Sequence, residues 1–290
     1  MEIFKSKKTL ENFIERNKEM EKKIGFAPTM GALHAGHISL YQKARTENDV
    51  VVSSIFVNPT QFNNSTDFEK YPQNMESDIG ILRKTNLVDV IYIPTVADIY
   101  FEKIERKKYD FGGLENEMEG KFRPGHFDGV GTVVEELFRQ VKPDNAYFGE
   151  KDFQQLLIIK KLVEKLGFPI KIHGVEIFRE PNGLAMSSRN ERLTKREREN
   201  AKIIYETLLN VNVWFGNTDI AEIKKRVSKI FNNQKDMKLE YFIITNETDL
   251  KETDVLQPDK NYRAFIAVFV KDVRLIDNLR LVRNIEDQRY

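Results

Sequence analysis

The chain has 290 residues, 46 basic and 45 acidic side chains and a formal net charge of +1, a length that suits one large or two moderate domains and a balance that argues against nucleic acid or a membrane as partner. It contains no cysteine, which excludes disulfides, thiolate nucleophiles and cysteine-held zinc or iron–sulfur clusters. The stretch MEIFKSKKTLENFIERN is amphipathic and charged, unlike a signal peptide, and no later run is long enough to span a bilayer, so a cytoplasmic location is expected.

In chain order, β-branched runs at Ile24–Pro28, Val50–Val57, Val88–Ile93, Ala146–Gly149 and Ile170–Ile177 alternate with helical patterns. That rhythm predicts an α/β fold, a Rossmann-like parallel sheet with crossover helices over residues 1–177. Met75, Ile79 and Leu82 mark one amphipathic helix, and Val133, Val134, Leu137 and Val141 another. Asp152 is placed to cap the helix FQQLLIIKKLVEKLG, which Gly167 and Pro169 stop. After Asn190 the pattern changes. Helical stretches at about Thr194–Asn212 and Asp219–Asn232, then strand-like runs at Leu239–Thr245 and Arg263–Val270, predict a smaller α+β domain over residues 178–290. Thr194 with Glu197 forms a capping-box pattern.

The segment Pro28-Thr29-Met30-Gly31-Ala32-Leu33-His34-Ala35-Gly36-His37 joins a strand to a helix expected to begin near His37. Glycines that admit a bulky anion, unpaired N–H groups at a helix start and two imidazoles three residues apart suit a phosphate. On spacing alone, a solvated histidine pair competes with that reading. Zinc competes weakly, because there is no H-E-x-x-H motif and only His126 and His173 remain as further imidazoles. Strand, glycines, histidines and helix in this order resemble the H-x-G-H signature of the nucleotidyltransferase superfamily.

The strings PTMGALHAGH, VVSSIFVNPTQF, FRPGHFDGV, AYFGEKDFQQL and REPNGLAMSSRN together resemble the pantothenate synthetase (pantoate–β-alanine ligase) family, in the same order and at comparable spacing. The resemblance implies ATP-dependent ligation of pantoate and β-alanine through a bound pantoyl adenylate, with release of AMP and pyrophosphate. By the resemblance, ATP would be held by Met30, Gly31, Ala32, Leu33, His34, Ala35, Gly36, His37, Gly149, Glu150, Lys151, Asp152, Phe178, Met186, Ser187, Ser188 and Arg189. Catalysis would fall to His37, His34, Lys151 and Arg189, with His37 the better candidate for proton donor. Pantoate would meet Gln61, Gln155, Met30 and Asn58, and β-alanine Gln61. For Asp152, capping its own helix competes with a ligand role, and for Asn58 and Gln61 an ordinary polar loop competes.

Departures from the family pattern are Ala35 where glutamate is common, Gln73 after Tyr71-Pro72, and an acidic cluster reduced to Glu76 and Asp78. Magnesium would therefore be held mainly by ATP phosphates and water, which competes with Asp78 as a protein ligand. A homodimer is implied by the family alone. A nucleotidyltransferase for another small acid or phosphate acceptor, and a non-catalytic nucleotide-binding module, are the competing readings.

Overall fold

The structure is a computed structural model and describes residues 1–62, 68–101 and 103–282. The chain divides into two compact units, Met1–Ile177 and Phe178–Tyr290.

In the first unit, strands β1 (Glu2–Phe4), β2 (Ile24–Thr29), β3 (Val50–Ile55), β4 (Val90–Tyr92), β5 (Asn145–Gly149) and β6 (Lys171–Val175) form one sheet in the order β1-β4-β3-β2-β5-β6. Every pairing is parallel, so the strands need crossover helices on the faces. The helices are α1 (Lys7–Glu19), α2 (Ala35–Glu47), α3 (Met75–Thr85), α4 (Val96–Tyr100), α5 (Met118–Phe122), α6 (His126–Val141) and α7 (Phe153–Leu166). The β2 and β3 residues are buried along most of their length, as a strand covered on both faces requires. Leu33, Leu40, Tyr41 and Ala44 pack with Val51, Ile55, Leu82 and Tyr147 in one core cluster. Chain order runs outward from β2 to β3 and β4, then restarts on its other side with β5 and β6. The crevice between the carboxyl ends of β2 and β5 is thus a topological switch point, the place where open α/β sheets take ligands.

The second unit carries α8 (Lys195–Asn200), α9 (Ile203–Trp214) and α10 (Ile220–Asn232) with an antiparallel sheet β7-β8-β9, formed by Met237–Asn246, Tyr262–Val270 and Val273–Leu281. Val211, Ile223, Val227 and Phe231 of the helices pack with Ile244, Ile266 and Val268 of the sheet.

The parallel sheet and the small α+β unit are as predicted, and four local details differ. Strand β1 lies within the stretch read only as amphipathic. The single helix expected over Thr194–Asn212 is two, because the chain tightens at Ala201 and Lys202, where Lys202 N bonds to Glu199 O and Ile204 N to Ala201 O. Strand β9 was not foreseen. Asp152 occupies the N-cap position of α7 but makes no side-chain capping bond and is exposed.

Candidate active site

The residues of the first unit expected at the ATP and pantoate sites, Met30–His37, Asn58, Gln61, Gly149–Asp152 and Gln155, lie at the ends of or just after β2, β3 or β5, which are neighbours in the sheet. After β2 the chain turns through Gly31 (φ 81°) and Ala32 (φ 50°). Only glycine fits at 31. A Cβ there would stand 2.9 Å from Asp78 Oδ2 and 3.2 Å from Ile55 Cγ2, in a left-handed conformation that side chains disfavour. Asp78 explains the turn. It lies in the first turn of α3, 3% exposed, and accepts Ala32 N–H at 2.9 Å and Leu33 N–H at 2.8 Å, one on each oxygen. Asp78, weighed above as a magnesium ligand against phosphates and water, anchors the β2–α2 loop. Among the described residues no group of three or more His, Asp or Glu side chains that could hold a metal ion is found.

Helix α2 begins at Ala35, two residues before the expected start, and His34 is its N-cap. His34 Nδ1 accepts Gly36 N–H at 3.1 Å, and His37 Nδ1 accepts His34 N–H at 3.3 Å. The Gly36 N–H thus serves the helix cap. The two bonds also fix both rings. A ring whose Nδ1 accepts carries its hydrogen on Nε2, so each imidazole is neutral and donates from Nε2. The ring centroids are 4.0 Å apart. His37, half-buried, has its pKa lowered well below the ordinary histidine value, first by burial, then by His34, then by the Lys151 charge. The charge of Lys151, which follows β5, thus acts on the histidine that follows β2. It sits in the single turn Glu150–Asp152 between Gly149 and α7.

Beyond β3, Asn58 is 1% exposed and organises the turn Pro59–Gln61. Its Oδ1 accepts Thr60 N–H at 3.3 Å, the Thr60 hydroxyl at 3.2 Å and the Tyr100 hydroxyl. Its Nδ2 donates to Gln61 Oε1 and to Gly129 O, both at 3.1 Å. Asn58, expected to touch pantoate, is consumed by the protein and acts by holding Gln61. Gln61 Nε2 in turn donates to Met30 Sδ at 2.7 Å, which brings the NPTQ and PTMG strings together. On α7, Gln154 spends its amide on Glu119 N, Leu114 O and Glu117 O, and Gln155 beside it is half-buried.

In the second unit, Phe178 O accepts Met186 N–H at 3.0 Å and Arg179 pairs with Ala185 across a short hairpin. Ser187 caps the turn Ser188–Arg192 by accepting Arg189 N–H at 3.3 Å. Asn190 Nδ2 ties that turn to Glu180 at 2.7 Å, and Glu180 is held by Arg198 at 2.7 and 2.9 Å. Arg179, stacked over Tyr205, pairs with the buried Asp277 at 2.6 and 3.0 Å. The hairpin that carries Met186, Ser187, Ser188 and Arg189 thus rests on two ion pairs.

Sequence reasoning missed Asp78 as the loop anchor and Tyr100 as a partner of Asn58. An acidic residue in a first helical turn reads as a dipole partner, and nothing in sequence pairs position 78 with 32 and 33.

Residues 2–280 match the model of the family described as Pantoate-beta-alanine ligase. A protein of Flavobacterium psychrophilum named pantothenate synthetase is 52% identical over 281 residues, covering 97% of this chain and 100% of that one. A crystal structure of pantothenate synthetase from Thermus thermophilus superposes with a TM-score of 0.89 at 37% identity, covering 98% of this chain and 100% of that one. A structure of pantoate-beta-alanine ligase from Francisella tularensis, complexed with beta-gamma ATP and beta-alanine, has a TM-score of 0.80 at 40% identity, covering 97% of each chain.

Proposed function

Because this chain belongs to the pantoate-beta-alanine ligase family, we propose that the turn after β2 and the Gly149–Asp152 segment after β5 are its ATP cradle, and that ligation runs through pantoyl adenylate. The overall reaction is the ATP-dependent ligation of pantoate and β-alanine. In the proposed first half, pantoate carboxylate attacks the α-phosphorus of ATP and pyrophosphate leaves. A carboxylate of pKa near ~4 is ionised at neutral pH, so this half needs positioning and charge neutralisation and no strong base. In the second half β-alanine amine attacks the acyl carbon and AMP leaves.

One observation carries the assignment: two neutral imidazoles, locked with Nε2 as the donor, stand at the switch point beside the Lys151 ammonium. Donors fixed before the reaction stabilise charge developing on phosphoryl oxygens more than charge already present. His37 and His34 would donate to those oxygens and Lys151 would supply the positive charge. The rest of Met30–His37, with Glu150 and Asp152, lines the same cradle in this proposal. Gln61 and Gln155, with Met30, would hold pantoate, and Gln61 would also meet β-alanine. Phe178 and Met186–Arg189 would contribute further ATP contacts, with Arg189 on the leaving pyrophosphate. Magnesium enters with ATP as the substrate complex. Homodimeric assembly and a cytoplasmic location complete the proposal as expectations from the family.

The test is single-turnover formation of pantoyl adenylate by His37→Ala and Lys151→Ala proteins with unchanged circular dichroism. Both are expected to be slowed by roughly a hundredfold or more, the scale of removing one preorganised donor. Wild-type rates in both would remove them from the mechanism.

A further inference from the structure

The string FRPGHFDGV has no part in the cradle, yet three of its residues converge on the two peptide groups on either side of the Gln61 Cα. Arg123 Nη2 donates to the Gln61 backbone carbonyl at 3.0 Å, and His126 Nδ1 reaches the same oxygen at 2.8 Å. Gly129 lies against the peptide bond before it: a Cβ at 129 would stand 2.6 Å from Thr60 O and 3.0 Å from Gln61 N. Its own carbonyl accepts from Asn58. His126, the first residue of α6, is 6% exposed, and Arg123 Nη1 approaches its Nε2 at 3.3 Å. A guanidinium can only donate, so Nε2 accepts and the hydrogen sits on Nδ1, facing the Gln61 carbonyl. Arg123 is itself tied to Glu119 at 3.4 Å. The start of α6 thus forms a mould around the two peptide groups that flank the Gln61 Cα, and the Gln61 side-chain amide is held by Asn58 and Met30.

We propose that His126 and Arg123 are positioning residues for the acid-binding subsite: they fix the Gln61 side chain by clamping its backbone carbonyl. This rests on the reading of Gln61 as the residue that holds pantoate. A carbonyl gripped by one buried and one part-buried donor cannot rotate about its peptide axis, so the side-chain amide of the same residue is presented in one direction. Neither side chain has to touch substrate for this.

The experiment is steady-state kinetics on the full-length protein, with pantoate and ATP varied in turn, for Gln61→Ala, His126→Ala, His126→Asn and the double variant Gln61→Ala with His126→Ala. Loss of the clamp should raise the KM for pantoate by roughly tenfold or more, since a misplacement near 1 Å costs on the order of a hundredfold. The KM for ATP should stay within about twofold of wild type in His126→Ala, a margin set by interactions that do not couple distant sites. His126→Asn, whose amide nitrogen can reach as Nδ1 does, should recover most of the loss. The double variant should be no worse than Gln61→Ala alone, because the clamp then has no side chain to aim. An unchanged KM for pantoate in Gln61→Ala removes the Gln61 reading and the inference with it. If Gln61→Ala raises that KM but His126→Ala does not, or if the two losses multiply in the double variant, the Gln61 reading stands and the positioning role is overturned. Should His126→Ala fail to fold, Arg123→Lys carries the same comparison, since an ammonium cannot reproduce the guanidinium fork.

Discussion

Replacing Asp78 with alanine should release the loop that carries the histidines. The carboxylate takes two N–H groups, at 2.9 and 2.8 Å, in a site that is 3% exposed. Hydrogen bonds to a charged acceptor contribute about 1.5–3 kcal/mol each, so the pair is worth roughly 3–6 kcal/mol. Against this, Ala32 holds a φ of 50°, and a non-glycine residue in that region stores about 1–2 kcal/mol that a relaxed loop would regain. The net cost is then roughly 1–5 kcal/mol, most of it local. Asp78→Asn keeps one acceptor oxygen but sets an NH2 against the other amide, and should lie between alanine and wild type. The single tryptophan, Trp214, belongs to the second unit, so its fluorescence is the wrong probe. Amide hydrogen exchange at Ala32 and Leu33 is the direct one: both should be protected in the wild type and lose protection in Asp78→Ala, while the β2 amides keep theirs. The KM for ATP should rise together with that loss. Wild-type exchange at both amides and an unchanged KM for ATP would refute the assignment of Asp78 as the loop anchor.

The charge of Lys151 disfavours imidazolium at His37, so Lys151→Met should move the His37 titration upward toward the ordinary value, as read by the ring resonances in NMR. The linkage has a definite sign. A histidine whose folded pKa lies below its unfolded value of ~6.5 binds its proton less readily when folded, so its stability contribution is present above that value and lost as pH falls below it. Denaturant titrations across that range should show stability falling with acid, and less steeply in Lys151→Met. Gly129→Ala puts a methyl group 2.6 Å from Thr60 O, so the Pro59–Gln61 turn must shift; the KM for pantoate should rise with little change for ATP, measured by varying each substrate. Arg179→Ala leaves Asp277, 3% exposed, without its guanidinium, and should destabilise the second unit by about 3–5 kcal/mol in denaturant unfolding followed by Trp214 fluorescence.

Much of the sheet was readable because β2, β3 and β5 are apolar runs punctuated by glycine, proline and polar turns, and their order follows from the alternation with helices. Strand β1 was not, since three residues, Glu2–Phe4, show no periodicity until β4 pairs with them. Strand β9 escaped notice because adjacent Asp277 and Asn278, on opposite faces, are both buried against Arg179 and Arg263, which breaks the apolar–polar alternation. At the proposed site, the motifs singled out His34, His37, Gln61 and Lys151. What each does to its neighbours was hidden, because the bonds that matter join residues distant in sequence: Asp78 to the loop at 32 and 33, and His126 to the carbonyl at 61. Periodicity reports which face is buried; it carries nothing about which buried polar group meets which.

The cradle between β2 and β5 should activate pantoate before β-alanine takes part. Exchange of labelled pyrophosphate into ATP, measured with pantoate present and β-alanine absent, tests this directly. Exchange that requires pantoate and is abolished in His37→Ala is the result expected; exchange that proceeds without pantoate, or that appears only when β-alanine is added, would contradict it.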